Sequence, residues 1–176
     1  MPNYRRAWVP GGTYFFTVTL ANRRDNSLLV DRIDALRQAV RDVRHHLPFE
    51  IDAMVVLPEH LHAMWTLPEG VADFATRWKL IKGRFSHACP PAPFLSKSQL
   101  AKGERGIWQR RYFEHLIRDE GDFAKHADYI HYNPVKHGCV PTAAEWPYST
   151  FHSFVEAGIY ASNWGADVSP ATPVGE

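Results

Sequence analysis

Two short apolar runs, Ile51 to Leu57 and His60 to Leu67, stand on either side of Pro58-Glu59. A connection that short leaves room for a tight turn, so the runs fold as neighbouring strands. Residues two apart in a strand share a face. His60 and His62 therefore project together, while Leu61, Ala63 and Trp65 point the other way, into a core. Two imidazoles side by side can hold one divalent cation, because neutral histidine is a common metal ligand. The same triplet would equally form a polar outer face, so the pair alone leaves the chemistry open.

The rest of the chain supplies the partners of that hairpin. Thr13 to Leu20 alternates, with Tyr14, Phe16, Val18 and Leu20 on one face and Thr13, Thr17 and Thr19 on the other, and reads as a strand. Asp31 is placed to cap a helix running to about His46, on the helical spacing of Ile33, Leu36, Ala39, Val40 and Val43, and Pro48 stops it. Ala72 to about Ala88 carries Phe74, Trp78, Ile81 and Phe85 on one stripe, ended by Pro90, Pro91 and Pro93. Ser96 to Gly106 shows no periodicity and reads as a mobile basic loop. Ile107 to Ile117 reads as a fourth strand, with Trp108, Arg110, Tyr112 and Glu114 on one side and Phe113 and His115 on the other. Asp119 or Asp122 starts a last helix that ends before Pro134. Residues 1–156 thus form one domain, and the Gly, Ala, Ser and Pro content of 157–176 reads as a loosely held tail. The order β-α-β-β-α-β, followed by a helix, predicts an α+β, ferredoxin-like sandwich with helices on one face of an antiparallel sheet. The first and third strands are then central, His60 and His62 sit mid-sheet, and the other face is left free for a site.

Composition narrows the class. With 45% hydrophobic and 22% charged residues the chain is an ordinary globular protein, and two cysteines, Cys89 and Cys139, give no disulfide framework. No apolar run is long enough to span a bilayer, so a cytoplasmic, nucleoid-associated protein is expected. The net charge of +1 hides a block from Arg77 to Arg111 that holds nine basic residues and one acidic one. Such a block suits a polyanion, although it also suits a solvated helix face and loop. Arg77, Lys82, Arg84, Arg105, Arg110 and Arg111, with Trp108 for stacking and Arg5 and Arg6 in the N-terminal arm, are the candidate nucleic-acid contacts.

The second informative stretch is Tyr129-Ile130-His131-Tyr132-Asn133-Pro134-Val135-Lys136-His137-Gly138. Tyr129 and Asn133, four apart, share a helix face. Near a metal the amide oxygen would serve as a third ligand and the phenol as a nucleophile. His131 and Tyr132 compete for these roles, and Asn before Pro is also an ordinary helix stop.

Taken with Pro58-Glu59-His60-Leu61-His62, with Trp108-Gln109-Arg110-Arg111-Tyr112 and with Trp146-Pro147-Tyr148-Ser149, this stretch resembles the REP-associated tyrosine transposases, a branch of the single-tyrosine, His-hydrophobic-His nucleases. The resemblance covers nearly the whole chain. It implies that His60 and His62 hold Mg²⁺ or Mn²⁺, that Asn133 stands where many relatives carry a longer Gln ligand, and that Tyr129 is the nucleophile. It further implies a metal-dependent, site-specific endonuclease and strand transferase acting on single-stranded hairpin DNA, as monomer or homodimer. Histidine suits Zn²⁺ or Ni²⁺ better than Mg²⁺, so the metal's identity comes from the resemblance. Two other readings stand beside this one: a non-catalytic DNA- or RNA-binding module that stacks bases on the sheet, and a hydrolase that uses water.

Overall fold

The structure, a computed structural model, describes residues 6–166; Arg5 and residues 167–176 lie outside the described residues. Four strands, β1 (Thr13–Thr19), β2 (Glu50–Val56), β3 (His60–Thr66) and β4 (Phe113–Leu116), form one antiparallel sheet in the order β2-β3-β1-β4. This is the ferredoxin-like order, with β1 and β3 central. The Pro58-Glu59 turn closes with Leu57 N–H donating to His60 O at 2.9 Å.

Helices α2 (Ile33–His46) and α3 (Phe74–Ala88) pack together on one face, bringing their apolar stripes onto Tyr14, Phe16, Val18, Leu61, Ala63 and Trp65. Trp65 lies between Trp78, at 4.2 Å between ring centres, and Phe49, at 4.1 Å. Burying each side chain of this size contributes about 1.5–3 kcal/mol, which makes this layer the main source of stability. Asp73 caps α3, its Oδ1 accepting from Thr76 N–H at 2.9 Å.

The opposite face is not free. Helix α5 (Glu120–Lys136) lies across β2 and β3, and Ala127, Tyr129 and Ile130 pack on Phe15, Val55, Leu57 and Met64. A bulge in β2 between Ile51 and Ala53 makes this second core possible. It places Ala53 and Val55 under α5 while Ile51, Met54 and Val56 face α2.

Several boundaries differ from the sequence expectation for local reasons. Asp31 does not cap α2. It ends the one-turn helix α1 (Leu28–Asp31) and accepts from Ser27 Oγ, and Arg32 precedes α2 without a side-chain cap. Within the basic loop a further turn, α4 (Lys97–Ala101), is held by a capping box between Ser96 and Gln99. The fourth strand is only Phe113–Leu116; before it, Trp108 makes an isolated bridge to Leu20. Asp119 caps α5, and the helix continues through Pro134 to Lys136. A proline loses one backbone hydrogen bond, but burial of Ile130, Asn133 and Pro134 offsets this, and His137 N–H still reaches Asn133 O at 3.0 Å.

The chain beyond α6 (Phe151–Glu156) is also held as far as the described residues extend. Tyr160 stacks on Trp164 at 4.3 Å and donates to Asp128 Oδ1 at 2.7 Å. Just before α6, Val56 N–H donates to Tyr148 O and Thr150 N–H to Met54 O, covering the outer edge of β2.

His131 is sealed between Thr150 Oγ1, 2.8 Å from its Nε2, and Tyr160 OH, 3.2 Å from its Nδ1. Burial holds this imidazole down to about 3. The unfolded chain takes up a proton at His131 below about pH 6.5, and the folded chain does not until about pH 3. Stability is therefore complete above pH 6.5 and is lost as pH falls towards 3. Thermal unfolding is expected to show a steady loss of Tm from pH 6.5 to 4, and a smaller loss in His131→Leu.

Candidate functional site

The register of the sheet places the two imidazoles. Thr17 pairs with His62 and Thr19 with His60, so both rings lie on the α5 side, with centres 4.9 Å apart. Their Nδ1 atoms are engaged behind them: His62 Nδ1 lies 2.9 Å from Thr17 Oγ1, and His60 Nδ1 lies 2.9 Å from Glu59 Oε1. A carboxylate only accepts, so His60 Nδ1–H donates to Glu59 and its Nε2 carries the lone pair, the form in which histidine binds a metal; at His62 the tautomer with Thr17 Oγ1 accepting does the same. Burial lowers both pKa values. His62 falls well below the usual value; at His60 the Glu59 carboxylate opposes the fall without cancelling it. Burial pushes the Glu59 carboxyl up, but His60 and Arg23 outweigh it and hold the group low, so it is ionised at neutral pH.

The length of α5 beyond Pro134 brings further groups to the same place. The Tyr129 ring lies 5.2 Å from His62 and 6.1 Å from Phe15, and is 4% exposed. Lys136 Nζ donates to its hydroxyl at 3.2 Å and sits 4.7 Å above the ring. His137 follows, its ring 5.1 Å from His60. Asn133 is fully buried beside His62, and neither amide atom meets a partner at full hydrogen-bond geometry. A cleft of about 320 Å³ opens over these residues, lined by His60, His62, His137, Lys136, Arg23 and Thr17. Tyr129 lies just beneath it, under Lys136.

This donor set fits a divalent cation. Two rings on one ion, each with nitrogen about 2.0–2.1 Å from the metal, have centres roughly 5 Å apart, as His60 is from both His62 and His137. Asn133, fully buried beside His62, adds a neutral amide oxygen to the set.

The alternatives on α5 point elsewhere. His131 faces Thr150 and Tyr160, and Tyr132 packs against Trp164 at 6.5 Å. Lys136, His137, Glu59 and Thr17 had no assigned role in the sequence. A signal for Lys136 was present: seven residues after Tyr129 is two helical turns, hence the same face, provided the helix runs through Pro134.

The candidate nucleic-acid contacts divide. Lys82, Arg105 and Arg110 line a groove of about 500 Å³ with Arg6 and Lys79. Arg6 pairs with the buried Glu114 at 3.2 Å, Lys82 donates to Gln109 O, and Arg110 holds Glu104 at 2.9 Å. Arg84 and Arg111 are exposed, Arg84 within 3.6 Å of Asp42. Arg105 ties the loop to α3 by donating to Ser86 O and Cys89 O. Two of the assigned residues are buried. Arg77, 4% exposed, donates to Asp73 O and Pro48 O, and Trp108 is a core residue whose Nε1–H donates to Lys82 O. Arg77 is thereby turned away from a polyanion, whereas Trp108, 9% exposed, lines the groove from beneath.

No helix among the described residues is long and apolar enough to cross a membrane. No protein-family model matches the chain. A REP-associated tyrosine transposase of Escherichia coli strain K12 is 48% identical over 169 residues, 96% of this chain and 94% of that protein. A Haemophilus influenzae Rd protein described under the same family name is 45% identical over 168 residues, 95% of each chain. The solved structure of a REP-associated tyrosine transposase bound to a REP hairpin matches with a TM-score of 0.83 at 46% identity, covering 99% of this chain and 100% of that one. Identity near one residue in two, sustained from end to end and carried on one architecture, shows that the chain belongs to the REP-associated tyrosine transposases.

Proposed function

We propose that the chain is a metal-dependent, site-specific endonuclease and strand transferase of single-stranded, hairpin-forming DNA, working through a 5′-phosphotyrosine link at Tyr129. The observation that carries this reading is the Tyr129 ring 5.2 Å from His62, in a chain whose relatives include a REP-associated tyrosine transposase solved on a REP hairpin. His60, His62 and Asn133 would hold Mg²⁺ or Mn²⁺, with His137 beside them. When bound, the cation supplies positive charge to the non-bridging oxygens of the scissile phosphate.

The chain's own residues do the rest. Lys136 covers the phenol and must lift for a phosphate to enter, keeping its ammonium close to the oxygen where negative charge develops as the proton leaves. The phenol oxygen bonds to phosphorus, the P–O3′ bond breaks, and the departing oxygen gains a proton to become a free 3′-OH. Attack by a second 3′-OH on the phosphotyrosine reverses these changes and rejoins DNA without a nucleotide cofactor. A base-stacking module is disfavoured because α5 covers the sheet and buries Phe15.

The test is incubation of the chain with labelled single-stranded hairpin DNA and Mn²⁺, followed by a denaturing gel. A protein-linked 5′ product is expected; cleavage without a linked product would favour the water-using hydrolase. The groove on α3 and the loop after it is the proposed path for the phosphates. Hairpin affinity is expected to fall steeply with salt, and replacing the groove residues Lys79, Lys82 and Arg110 together by Gln should flatten the log–log slope by about 2, at about 0.7 per contact on a single strand. An unchanged slope would place the DNA elsewhere.

A further inference from the structure

A second cluster of metal-ligating side chains lies outside the cleft. His115, on β4, meets Asp122 and His126, one turn apart at the start of α5. One ligand atom from each residue lies within 4.8 Å of the others. His115 Nε2 is 2.8 Å from Asp122 Oδ2, His126 Nδ1 is 3.2 Å from Asp122 Oδ1, and the ring centres are 4.7 Å apart. Asp122 and His126 are buried, while His115 is half-buried and open to water. Arg118 N–H also donates to Asp122 Oδ2, and Asp122 O lies 2.8 Å from His126 Nδ1.

We propose that His115, Asp122 and His126 form a second divalent-metal site, of a kind that takes Zn²⁺, with water in the fourth position. Two imidazoles and one carboxylate with an open position are a zinc donor set, and His/Asp ligands sit about 2.0–2.2 Å from that ion. Ligand atoms on such an ion lie roughly 3.3–3.5 Å apart, close to the spacing already present. Coordination displaces the hydrogen bonds inside the triad. The His115 ring proton moves from Nε2 to Nδ1, and the His126 ring proton moves from Nδ1, where it faces Asp122 O, to Nε2, so each neutral imidazole offers a lone pair inside the triad and no net proton is lost. The carboxylate is ready as a ligand: burial works upward, but hydrogen bonds from His115 and Arg118 N–H prevail and hold Asp122 at about 2. The ion would pin the edge strand β4 to the first turns of α5. His126 packs on Phe15 at 4.8 Å, the ring that Tyr129 also touches, so the pin braces the helix turn that carries the phenol.

The test counts zinc on the full chain, without DNA. Protein stripped with EDTA is reloaded with Zn²⁺, desalted and assayed by elemental analysis, with Co²⁺ absorption as a second readout. His115→Gln, chosen because its residue is half-exposed at the sheet edge, is expected to remove one equivalent of zinc and to weaken affinity at that site at least tenfold. It should also abolish the zinc-induced rise in Tm that belongs to that equivalent. His126→Gln should do the same if it folds. His60→Ala/His62→Ala should leave that equivalent in place, whether or not the cleft itself holds a metal, so the two sites fail or succeed separately. A zinc count unchanged by His115→Gln would mean the triad is a hydrogen-bond network only and overturns the proposal.

Discussion

Tyr129→Phe is expected to abolish the covalent protein–DNA product, lowering strand cleavage by at least about a thousandfold while leaving hairpin binding intact. The change removes one oxygen and the 3.2 Å hydrogen bond from Lys136, but leaves the ring packed on Phe15 and His62. A hydrogen bond of that kind is worth about 0.5–1.5 kcal/mol, so the fold survives and any loss of activity reads as chemistry. Tyr132→Phe is the matched control, because that ring packs towards Trp164, and it should retain cleavage. A denaturing gel of labelled hairpin DNA separates the outcomes. Adduct from Tyr129→Phe, with none from Tyr132→Phe, would move the nucleophile to the other tyrosine.

Replacing His60 and His62 together by Ala should reduce cleavage to the level that wild type shows in EDTA, with no further loss when EDTA is added to the variant. Thr17 and Glu59 stand behind the two rings, so a metal held there would depend on more than its ligands. Glu59→Gln is expected to weaken metal affinity by about 10–100-fold, measured by Mn²⁺ titration. Because burial lowers the pKa of both imidazoles, Mn²⁺ affinity should fall less between pH 7 and about 6 than it would at a site of exposed histidines. Full cleavage by wild type in EDTA would remove the metal from the reaction.

The features that could be read directly are those written in one repeating pattern. Alternation along Thr13 to Leu20, and the stripes Leu36-Ala39-Val40-Val43 and Phe74-Trp78-Ile81-Phe85, depend on each residue's own side chain meeting a single apolar layer. The hairpin at Pro58-Glu59 put His60 and His62 on one face for the same reason. Where two influences competed, the local reading failed. Asp31 is a good cap in isolation, but Ser27 and a one-turn helix engaged it first. Pro134 is a good helix stop in isolation, but the contacts of α5 with β2 and β3 carry the helix past it. Arg77 and Trp108, which carry the chemistry of nucleic-acid contacts, are also engaged by the backbone carbonyls of Asp73, Pro48 and Lys82.

By itself the sequence determined the sheet, the layer behind it, and the shared face of the two imidazoles, because strand and helix periods are local properties of the backbone. Only the tertiary structure decided that α5 lies across the other face and continues to Lys136, bringing Tyr129, Asn133 and His137 to histidines some seventy residues earlier. That meeting depends on a bulge at Asp52 and on burial of Ile130 and Pro134, packing effects between distant segments that no repeating pattern along the chain encodes.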